Sequence, residues 1–538
     1  MSEAARSREI LFQTELFEIV SIVWTENSVS QMHAHGWSAC LVLIEEGEFE
    51  NKLDMGVKCE TKKYSAGQVV STPVGAHHEL KCVSARGKTL HVYTPKINVL
   101  ESGGRFHPGI QNELNRDLSL GTAINADDLR DVLKRAQESA ISTESPYFMN
   151  QLFSGVIPQM LIAEEFIART KTTLATSEAS PVHSRMEEEV VGRLCRRIGW
   201  GSESSRGITV PGGSAANIMA LHCARHRTFP SMKVHGHYHS PMKIFVSENA
   251  HYSFKKACAV LGLGLHCVVS VATDAEGRMV PEVLREKIEA CLRAGEIPLM
   301  VVATAGTTVH GAFDPIRPLA EICWRYNIWL HVDGAWGGPV LFSRKLAGLI
   351  DGIELADSLT FDAHKLFGAS LTCSFFLTKH KEILLQANDV SGADYLFHEN
   401  DSLDRGRLSW QCGRSADAVS FWTIWKSLGD EGLGEFVDRQ VSLRDETVKW
   451  IEGQPRLEIV ARPSYLNLCV RILAPDGRRL PEWSRFVRER MKASDLCLVN
   501  YSSDSQGTFL RLILAHPFLT TAHLRQILEW ALSIGVDQ

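Results

Sequence analysis

Two apolar segments in the middle of the chain, each followed by polar residues, constrain the fold more than any other feature. Residues 328–332 and 358–361 are short, largely apolar runs of strand length and predict buried strands. Asp333 follows the first run directly, and His364 and Lys365 follow the second closely. Because α/β sheets place functional groups beyond the carboxyl ends of their strands, we expect a site at this point of the chain.

A lysine and an aspartate placed in this way suit pyridoxal phosphate (PLP). The lysine would form the Schiff base, and the aspartate would keep the pyridine nitrogen protonated so that the ring can accept electrons. Taken alone, Lys365 is explained more simply as a surface lysine beside a helix-capping aspartate. The other motifs of the chain decide between these interpretations.

Bulk composition narrows the class of protein. At 538 residues the chain is long enough for about three domains. The net charge of −6 argues against a nucleic-acid-binding surface. The cysteines number 13 and are scattered without paired spacing, which argues against a disulfide framework and favours a reducing compartment. Residues 1–9 lack an apolar signal core and no apolar run is long enough to cross a bilayer, so we expect a cytoplasmic protein.

Changes of pattern divide the chain into four predicted segments. Residues 1–97 alternate β-rich runs with glycine turns, which predicts a small all-β barrel or jelly roll. Residues 98–165 form a linker and an N-terminal arm. Residues 166–430 alternate strand and helix patterns, which predicts an α/β sandwich with a mostly parallel sheet. Residues 431–538 predict a small α+β domain.

The first segment carries histidines at the spacing of metal ligands. His33 and His35 would lie on one face of a strand, because side chains repeat every second residue. A second motif, G-x5-P-x-G-x2-H, ends at His78, and its alternation with Leu80 favours it over His77 as the third ligand. Together the motifs resemble those of cupin β-barrels, which hold a metal with imidazoles. The usual glutamate after H-x-H is missing, so the barrel either binds metal through histidines alone or has lost its metal.

The same segment resembles cysteine dioxygenase. The matching stretches are Arg8-Glu-Ile-Leu, Phe17-Glu-Ile-Val, His33-Ala-His35-Gly-Trp-Ser-Ala-Cys40 and Leu90-His91-Val-Tyr93-Thr-Pro95. This resemblance implies that His33, His35 and His78 bind Fe(II). It also implies that Arg8 binds the substrate carboxylate. Cys40 and Tyr93 match residues that can form a thioether crosslink, with His91 hydrogen-bonded to the tyrosine. For Cys40 the alternative is a plain core cysteine.

Three further motifs precede Lys365. Gly213, Ser214 and Ala215 open a helical run, where small residues expose backbone N–H groups to an anion such as a phosphate. His251 follows a predicted strand and could stack on a pyridine ring. Thr304 ends a buried strand and could hydrogen-bond to the ring oxygen. In isolation the glycine motif is more often a simple turn, and the histidine a surface residue.

The order of these motifs resembles that of the group II PLP decarboxylases over residues 120–538. The match is nearest to the branch that contains cysteine sulfinate, aspartate and glutamate decarboxylases, through Asn150-Gln-Leu-Phe-Ser-Gly155, His310-Gly-Ala-Phe-Asp-Pro315 and Gln411-Cys-Gly-Arg414. It implies an α/β, fold type I PLP-dependent enzyme with a small α+β C-terminal domain. The implied cofactor-binding residues are Gly213, Ser214, Ala215, His251, Thr304, Asp333, Ala335, His364 and Lys365. Among these, Lys365 and His251 are the implied catalytic residues of this half.

Two features depart from that branch. Asp362 stands where the branch usually has asparagine, near the cofactor phosphate, and a second negative group there needs a donor or a shared proton. Residues 398–410 contain no tyrosine that could return a proton to the substrate carbon. Either another donor such as His398, or the partner subunit, would then take that role.

The resemblance also implies the substrate-binding residues. Arg511 matches the arginine that binds the substrate α-carboxylate, and an arginine inside so apolar a strand needs a partner. Gln151 and Phe153 would line the side-chain pocket. A homodimer with sites near the subunit interface is implied as well.

Together the two halves predict a bifunctional enzyme. It would convert cysteine and O2 to cysteine sulfinate with Fe(II), and then decarboxylate the sulfinate to hypotaurine with PLP. Its partners would be small molecules, without nucleic acid or a membrane. One alternative is a PLP decarboxylase of aspartate, glutamate or sulfinate with a non-catalytic, regulatory cupin domain. Another is a sensor without enzymatic activity. The sequence leaves the choice between sulfinate and carboxylate side chains open.

Overall fold

The structure of the protein is a computed structural model. The structure describes residues 7–13, 18–25, 33–34, 39–54, 59–72, 77–94, 120, 123–201, 203–236, 240–390, 392–393, 395–398 and 403–535. The chain divides into two compact units, Met1–Ser102 and Gly103–Gln538. Among the helices of these ranges, none has the length and apolar character needed to span a membrane.

The first unit is built of antiparallel strands. They are β1 (Ser7–Gln13), β2 (Glu18–Thr25), β3 (His33–Ala34), β4 (Ala39–Glu46), β5 (Glu48–Asp54), β6 (Cys59–Ser65), β7 (Val69–Thr72), β8 (His77–Cys82) and β9 (Arg86–Thr94). They form one sheet in the order β1-β2-β9-β4-β7 and a second in the order β3-β8-β5-β6.

The two sheets of this unit share one apolar core. Trp24 and Val42 come from the first sheet and Phe49 and Leu80 from the second, and all four are buried in the same cluster. The Trp24 and Phe49 rings meet edge to face, with centroids 5.6 Å apart. The prediction of a β-rich first segment is confirmed. Closure of these sheets into a cupin barrel stays a prediction.

The second unit contains a large, mostly parallel sheet. Its strands are β11 (Arg206–Pro211), β12 (Met242–Ser247), β13 (Val268–Val271), β14 (Ile297–Thr304), β15 (Trp329–Gly334), β16 (Ser358–Asp362) and β17 (Cys373–Thr378). Their order is β11-β17-β16-β15-β14-β12-β13. The pairs from β13 to β16 are parallel, and β17 is antiparallel to both of its neighbours. The predicted α/β architecture is confirmed.

Helices surround this sheet and the smaller one described below. The α-helices are α1 (Ala126–Ser139), α2 (Pro158–Thr170), α3 (Pro181–Ile198), α4 (Gly213–Thr228), α5 (Met232–His235), α6 (Ser253–Val260), α7 (Pro281–Arg293), α8 (Ile316–Tyr326), α9 (Ile383–Asn388), α10 (Ala418–Glu452), α11 (Trp483–Ala493) and α12 (Thr521–Ser533). Short 3-10 helices lie at Leu265–Cys267, Gly338–Phe342, Ala347–Ile350, Ile353–Leu355 and Arg405–Leu408. Helix α4 packs against the large sheet, where Met219 and Cys223 are buried with Ile244 and Val302.

The C-terminal strands form a separate small sheet. Its members are β10 (Phe148–Met149), β18 (Leu457–Ile459), β19 (Asn467–Ile472), β20 (Leu498–Asp504) and β21 (Gly507–Ile513), in the order β10-β20-β21-β19-β18. The predicted strands of residues 431–538 are therefore present. Strand β10 comes from the N-terminal arm and pairs parallel with β20. Helix α10 is interrupted at Gly429, whose φ of 67° belongs to the left-handed region.

Candidate active site

The parallel register aligns the ends of three neighbouring strands of the large sheet. Thr304 on β14 lies opposite Asp333 on β15, and Asp333 lies opposite Thr360 on β16. The turn after β16 then brings His364 and Lys365 to the same edge. This is the carboxyl edge at which α/β sheets bind ligands.

A cavity of about 210 Å³ opens at this edge. It is lined by Gly213, Ser214, Asn217, His251, Thr304, Gly306, Thr308, Asp333, Ala335, Trp336, Asp362, His364 and Lys365. The structure thus brings together every predicted cofactor-binding residue except Ala215. That residue packs against the main core cluster, and its N–H donates to Gly212 O at 3.0 Å.

Asp333 is held from two sides. Asn217 Nδ2 donates to its Oδ2 at 2.9 Å, and the Ala335 N–H donates to its Oδ1 at 3.1 Å. The same Asn217 amide donates to Ser253 Oγ at 2.9 Å. The Asp333 side chain is 5 % exposed, so its direction is set by these donors rather than by water.

A buried chain of hydrogen bonds sets the orientation of the Asn217 amide. Trp329 Nε1, which can only donate, donates to Ser358 Oγ at 2.8 Å. Asn217 Oδ1 can only accept, so His331 Nε2 donates to it at 3.1 Å, and Nδ1 of the neutral ring accepts from the Ser358 hydroxyl at 2.8 Å. Thr360 Oγ1 also donates to this Oδ1 at 2.8 Å. With its oxygen taken, Asn217 has only its NH2 group to offer Asp333.

Complete burial keeps His331 neutral. Desolvation lowers the pKa of His331 to about 3, because the interior disfavours the charged ring. A neutral ring with its proton on Nε2 is what the hydrogen-bond chain requires. No role for Asn217 or His331 was predicted from the sequence. The available signal was the spacing of Asn217, four residues after Gly213 and so on the same face of α4.

Lys365 lies beside a buried carboxylate. Its Nζ is 3.2 Å from Asp362 Oδ2, and the lysine is the more exposed of the two side chains, 20 % against 2 %. His364 Nε2 lies 4.0 Å from the same oxygen. On the other side of its ring, His364 Nδ1 donates to Cys373 O at 3.0 Å.

His251 faces the cavity as a half-buried, neutral ring. Burial lowers the pKa of His251, against an opposing contribution from Asp333. Its Nδ1 accepts the Ser253 N–H at 3.3 Å, so the proton of the neutral ring lies on Nε2. Tyr252 packs on the ring at a centroid distance of 4.2 Å. The stacking role of His251 stays a prediction, and the ring that would stack carries its proton on Nε2.

Two side chains of the small sheet contact residues that line the cavity, although neither of them lines it. Asn467 on β19 accepts a hydrogen bond from Trp336 Nε1 at 2.6 Å and donates to Thr308 O at 3.0 Å. Arg511 on β21 donates to Thr308 O at 3.0 Å and to Asn150 O at 2.9 Å. Within the described residues Arg511 Nε is buried and has no partner. One N–H of this guanidinium is thus free for a ligand.

Other predicted site residues lie elsewhere. Gln151 is exposed, and Phe153 packs against Phe148 with ring centroids 6.3 Å apart. Neither lines the cavity within this chain, and neither does His398, which is exposed. Arg414 is buried in an ion pair with Glu187 at 2.6 Å, so this part of the Q-C-G-R motif is structural.

The predicted iron site can be followed only through the backbone. His33 pairs with His78 across β3 and β8, and Cys40 pairs with Tyr93 across β4 and β9. The side chains of these four residues and of Arg8 lie outside the described part, as does the whole of His35. Among the side chains that are described, no group of three or more potential metal ligands occurs.

His91 is the one predicted residue of that site whose side chain is described. It is buried, and its Nε2 lies 2.8 Å from Thr89 Oγ1. That hydroxyl accepts the Trp24 Nε1–H at 2.7 Å. The Thr89 hydroxyl thus joins the Trp24 indole and the His91 ring in one buried hydrogen-bonded group.

Comparison with known proteins decides the family of the second unit. The family model described as the pyridoxal-dependent decarboxylase conserved domain matches residues 113–473. The chain belongs to the pyridoxal-dependent decarboxylases. It lies in the branch of cysteine sulfinic acid decarboxylase and the acidic amino acid decarboxylase GADL1. The family match begins beyond the two sheets of the first unit, on which it has no bearing.

Individual relatives agree with this family. Cysteine sulfinic acid decarboxylase of Homo sapiens is 36% identical over 444 residues, which are 79% of this chain and 90% of that protein. Acidic amino acid decarboxylase GADL1 of Mus musculus is 35% identical over 518 residues, 93% of this chain and 94% of that protein. The crystal structure of mouse CSAD superimposes with a TM-score of 0.75 at 34% identity, covering 79% of this chain and 92% of that one.

The residues of the cavity fit PLP. Its volume of about 210 Å³ exceeds the roughly 150 Å³ of a cavity that admits a benzene ring. Two buried oxygens, Thr304 Oγ1 and Asp362 Oδ1, have no partner within the described residues, and polar atoms left so are expected to meet a ligand or water. A carboxylate, a lysine and a helix N-terminus line the same space. These groups suit the pyridine nitrogen, the aldehyde and the phosphate of PLP respectively.

Proposed function

We propose that this protein decarboxylates cysteine sulfinate, using PLP bound in the cavity around Lys365. The observation that carries the proposal is the convergence of Lys365, Asp333 and His251 on one cavity at the carboxyl edge of the large sheet. The relatives named above add the substrate class, small amino acids with an acidic side chain.

Each side chain of the cavity has a distinct part in this proposal. When bound, PLP supplies an electron sink for the bond that joins the substrate Cα to its carboxylate. Asp333 accepts the N–H of the pyridine ring and, oriented by Asn217, keeps that nitrogen protonated. Lys365 would hold the cofactor by its aldehyde group. The His251 ring covers one face of the pyridine and excludes water from it.

Arg511 is proposed to bind a carboxylate of the substrate. Two of its nitrogens are fixed on Thr308 O and Asn150 O, which leaves the buried Nε–H free to point at an anion. Burial lowers the pKa of Arg511, yet a guanidinium keeps its charge at any ordinary pH. A fixed cation beside Thr308 would hold the substrate so that the breaking bond stands perpendicular to the ring.

The direct experiment compares substrates on one enzyme preparation. We expect kcat/KM for cysteine sulfinate to exceed that for aspartate and glutamate, with hypotaurine as the product of the first. Lys365→Ala abolishes turnover of every substrate if the lysine acts as proposed, whereas Lys345→Ala, which changes an exposed lysine, leaves it intact. A preference for aspartate would keep the decarboxylase and reject the sulfinate assignment. Sedimentation tests the accompanying proposal that the enzyme is a homodimer.

A second function is proposed for the first unit because of two backbone pairings. His33 opposite His78, and Cys40 opposite Tyr93, are neighbours in the way that a histidine-bound iron and a thioether crosslink require. We infer a thiol dioxygenase that adds both atoms of O2 to the cysteine thiol and yields cysteine sulfinate. The single decarboxylase with a regulatory first unit is the competing account.

A cysteine-fed reaction separates these two accounts. The Lys365→Ala variant, supplied with Fe(II), O2 and cysteine, should accumulate cysteine sulfinate. His78→Ala should stop its formation, while His77→Ala should not. Unchanged oxidation in His78→Ala, or no oxidation by the parent protein, rejects the dioxygenase and leaves the decarboxylase proposal untouched.

A further inference from the structure

The Asp362 carboxylate is one of the most enclosed charged groups of the cavity. It is 1 % exposed, and within the described residues its Oδ1 has no hydrogen-bond partner. Its Oδ2 lies 3.2 Å from Lys365 Nζ. Half of this carboxylate is therefore balanced by an ammonium group, and the other half faces the cavity unpaired.

The same carboxylate faces the N-terminus of α4. A Cβ added to Gly213, the first residue of α4, would lie 2.7 Å from Asp362 Oδ2 and 3.0 Å from Oδ1, so a larger residue there would displace the carboxylate. Gly213 and Ser214 line the cavity at this point. Backbone N–H groups and the helix dipole there attract an anion. Asp362 thus borders the space proposed for the cofactor phosphate.

The charged and titratable groups around Asp362 come from several elements. Lys365 and His364 lie on its own turn, at 3.2 and 4.0 Å. His251, after β12, and Cys373, on β17, interact with it electrostatically. Asp333 lines the same cavity from β15. Lys365 is the nearest of these cations, and it is the group that the proposed function commits to the cofactor aldehyde.

We propose that Asp362 takes up a proton from solvent when the cofactor phosphate enters this end of the cavity, so that PLP binding weakens as pH rises. The inference rests on the proposed phosphate site at the N-terminus of α4. Two anions in contact at a buried site disfavour each other, so the phosphate increases the affinity of the carboxyl group for a proton. By reciprocity, the protonated carboxyl group binds the phosphate more tightly than the carboxylate does.

The test uses Asp362→Asn, which keeps the shape of the side chain and removes its charge. Cofactor is removed from parent and variant by dialysis, and dissociation constants are measured between about pH 6 and about pH 9. PLP is compared with pyridoxal, which has the aldehyde and the ring but no phosphate. Dividing the parent constant by the variant constant removes the pH dependence that the two proteins share, and the pyridoxal comparison reports any change at Lys365, which lies 3.2 Å from Asp362.

For PLP we expect this ratio to rise by up to about tenfold per pH unit where one proton is coupled to binding. For pyridoxal the ratio should stay constant. A rise of equal size with pyridoxal would place the coupling at Lys365 and overturn the proposal. A ratio for PLP that stays constant with pH would overturn it as well.

A second measurement serves if the variant does not fold. Titration calorimetry of the parent protein in two buffers of different ionisation enthalpy counts the protons taken up with each ligand. Greater uptake with PLP than with pyridoxal is expected, and equal uptake rejects the inference. Failure of the proposed function would instead leave no covalent bond to Lys365, which borohydride reduction and peptide mass analysis report separately.

Discussion

Asn217 Nδ2 donates a hydrogen bond of 2.9 Å to Asp333 Oδ2, joining helix α4 to the end of a strand 116 residues further along the chain. The amide cannot turn over, because His331 and Thr360 both donate to its oxygen. Asp333 is thereby fixed in the direction from which it would meet the pyridine nitrogen. Asn217 is therefore proposed to be a positioning residue for that contact.

Replacing Asn217 with alanine should slow decarboxylation by about 10- to 100-fold. A hydrogen bond to a charged group contributes about 1.5–3 kcal/mol, and about 1.4 kcal/mol corresponds to tenfold in rate. The absorbance of the bound cofactor should shift as well, because the ring nitrogen loses a well-placed partner. Ser253→Ala is the matched control, since it removes the other acceptor of the same NH2 group. If Asn217→Ala keeps the kcat and the cofactor absorbance of the parent protein, Asn217 does not position Asp333.

Buried neutral histidines should make the protein less stable as the pH falls from about 6.5 to about 4. Burial lowers the pKa of His331 to about 3 and of His222 and His516 to about 4, from 6.5. In this window the unfolded chain binds protons that the folded chain does not, so stability rises with pH. Each such histidine changes the free energy of unfolding by up to about 1.4 kcal/mol per pH unit. Urea unfolding at several pH values measures the slope, and a flat profile would contradict buried neutral rings.

The Glu187–Arg414 ion pair should be far more costly to break than a surface pair. Glu187 is fully buried, and its carboxylate accepts from Arg414, from Thr209 Oγ1 and from the Thr209 N–H. Burial raises the pKa of Glu187, but Arg414 and Arg405 outweigh that effect and the pKa is lowered. We expect Glu187→Gln to lower the free energy of unfolding by about 3–5 kcal/mol.

The exposed pair of Glu189 with Arg193 is the control for that substitution. Its atoms are 2.6 Å apart, but both side chains are close to half exposed. Glu189→Gln should cost less than about 1 kcal/mol in the same denaturant titration. Similar losses for the two variants would mean that burial does not determine the contribution of Glu187.

Arg511→Lys should raise KM for cysteine sulfinate and also lower kcat, because the arginine both binds the carboxylate and orients the breaking bond. A lysine has no planar fork that could contact Thr308 O, Asn150 O and a substrate carboxylate together. Asn500→Ala is a suitable control, because Asn500 donates to the same Asn150 O at 3.3 Å without the charge. If both variants raise KM equally, the loss comes from the Asn150 loop and not from a substrate contact.

The sequence predicted the strand ends of the site well, for a physical reason. Asp333 and Lys365 each follow an apolar run, and parallel strands bring their carboxyl ends to one edge. Asn217, His331 and Asn467 were missed because their importance arises from partners far away in the chain. Hydrophobic periodicity reports only on residues within one helix or strand, so it cannot predict pairs between distant elements.

Other predictions concerned side-chain direction and long-range packing, which the local sequence does not determine. Ala215 was assigned to the phosphate site with Gly213 and Ser214; its side chain packs against the core and it does not line the cavity, and its part in phosphate binding stays a prediction. Gln151 and Phe153 were assigned to the substrate pocket by resemblance alone, and within one chain they lie outside the cavity. In the first unit, alternation of apolar residues predicted strands correctly, whereas barrel closure depends on long-range pairing.

Release of CO2 from cysteine sulfinate labelled at its carboxyl carbon tests the central claim most directly. With PLP added, the parent protein should release labelled CO2 and form hypotaurine in equal amounts. Lys365→Ala, assayed at the same protein concentration, should release none. Labelled CO2 from Lys365→Ala at the parent rate, or consumption of the sulfinate by the parent without CO2, would contradict the assignment of this cavity as a decarboxylase site.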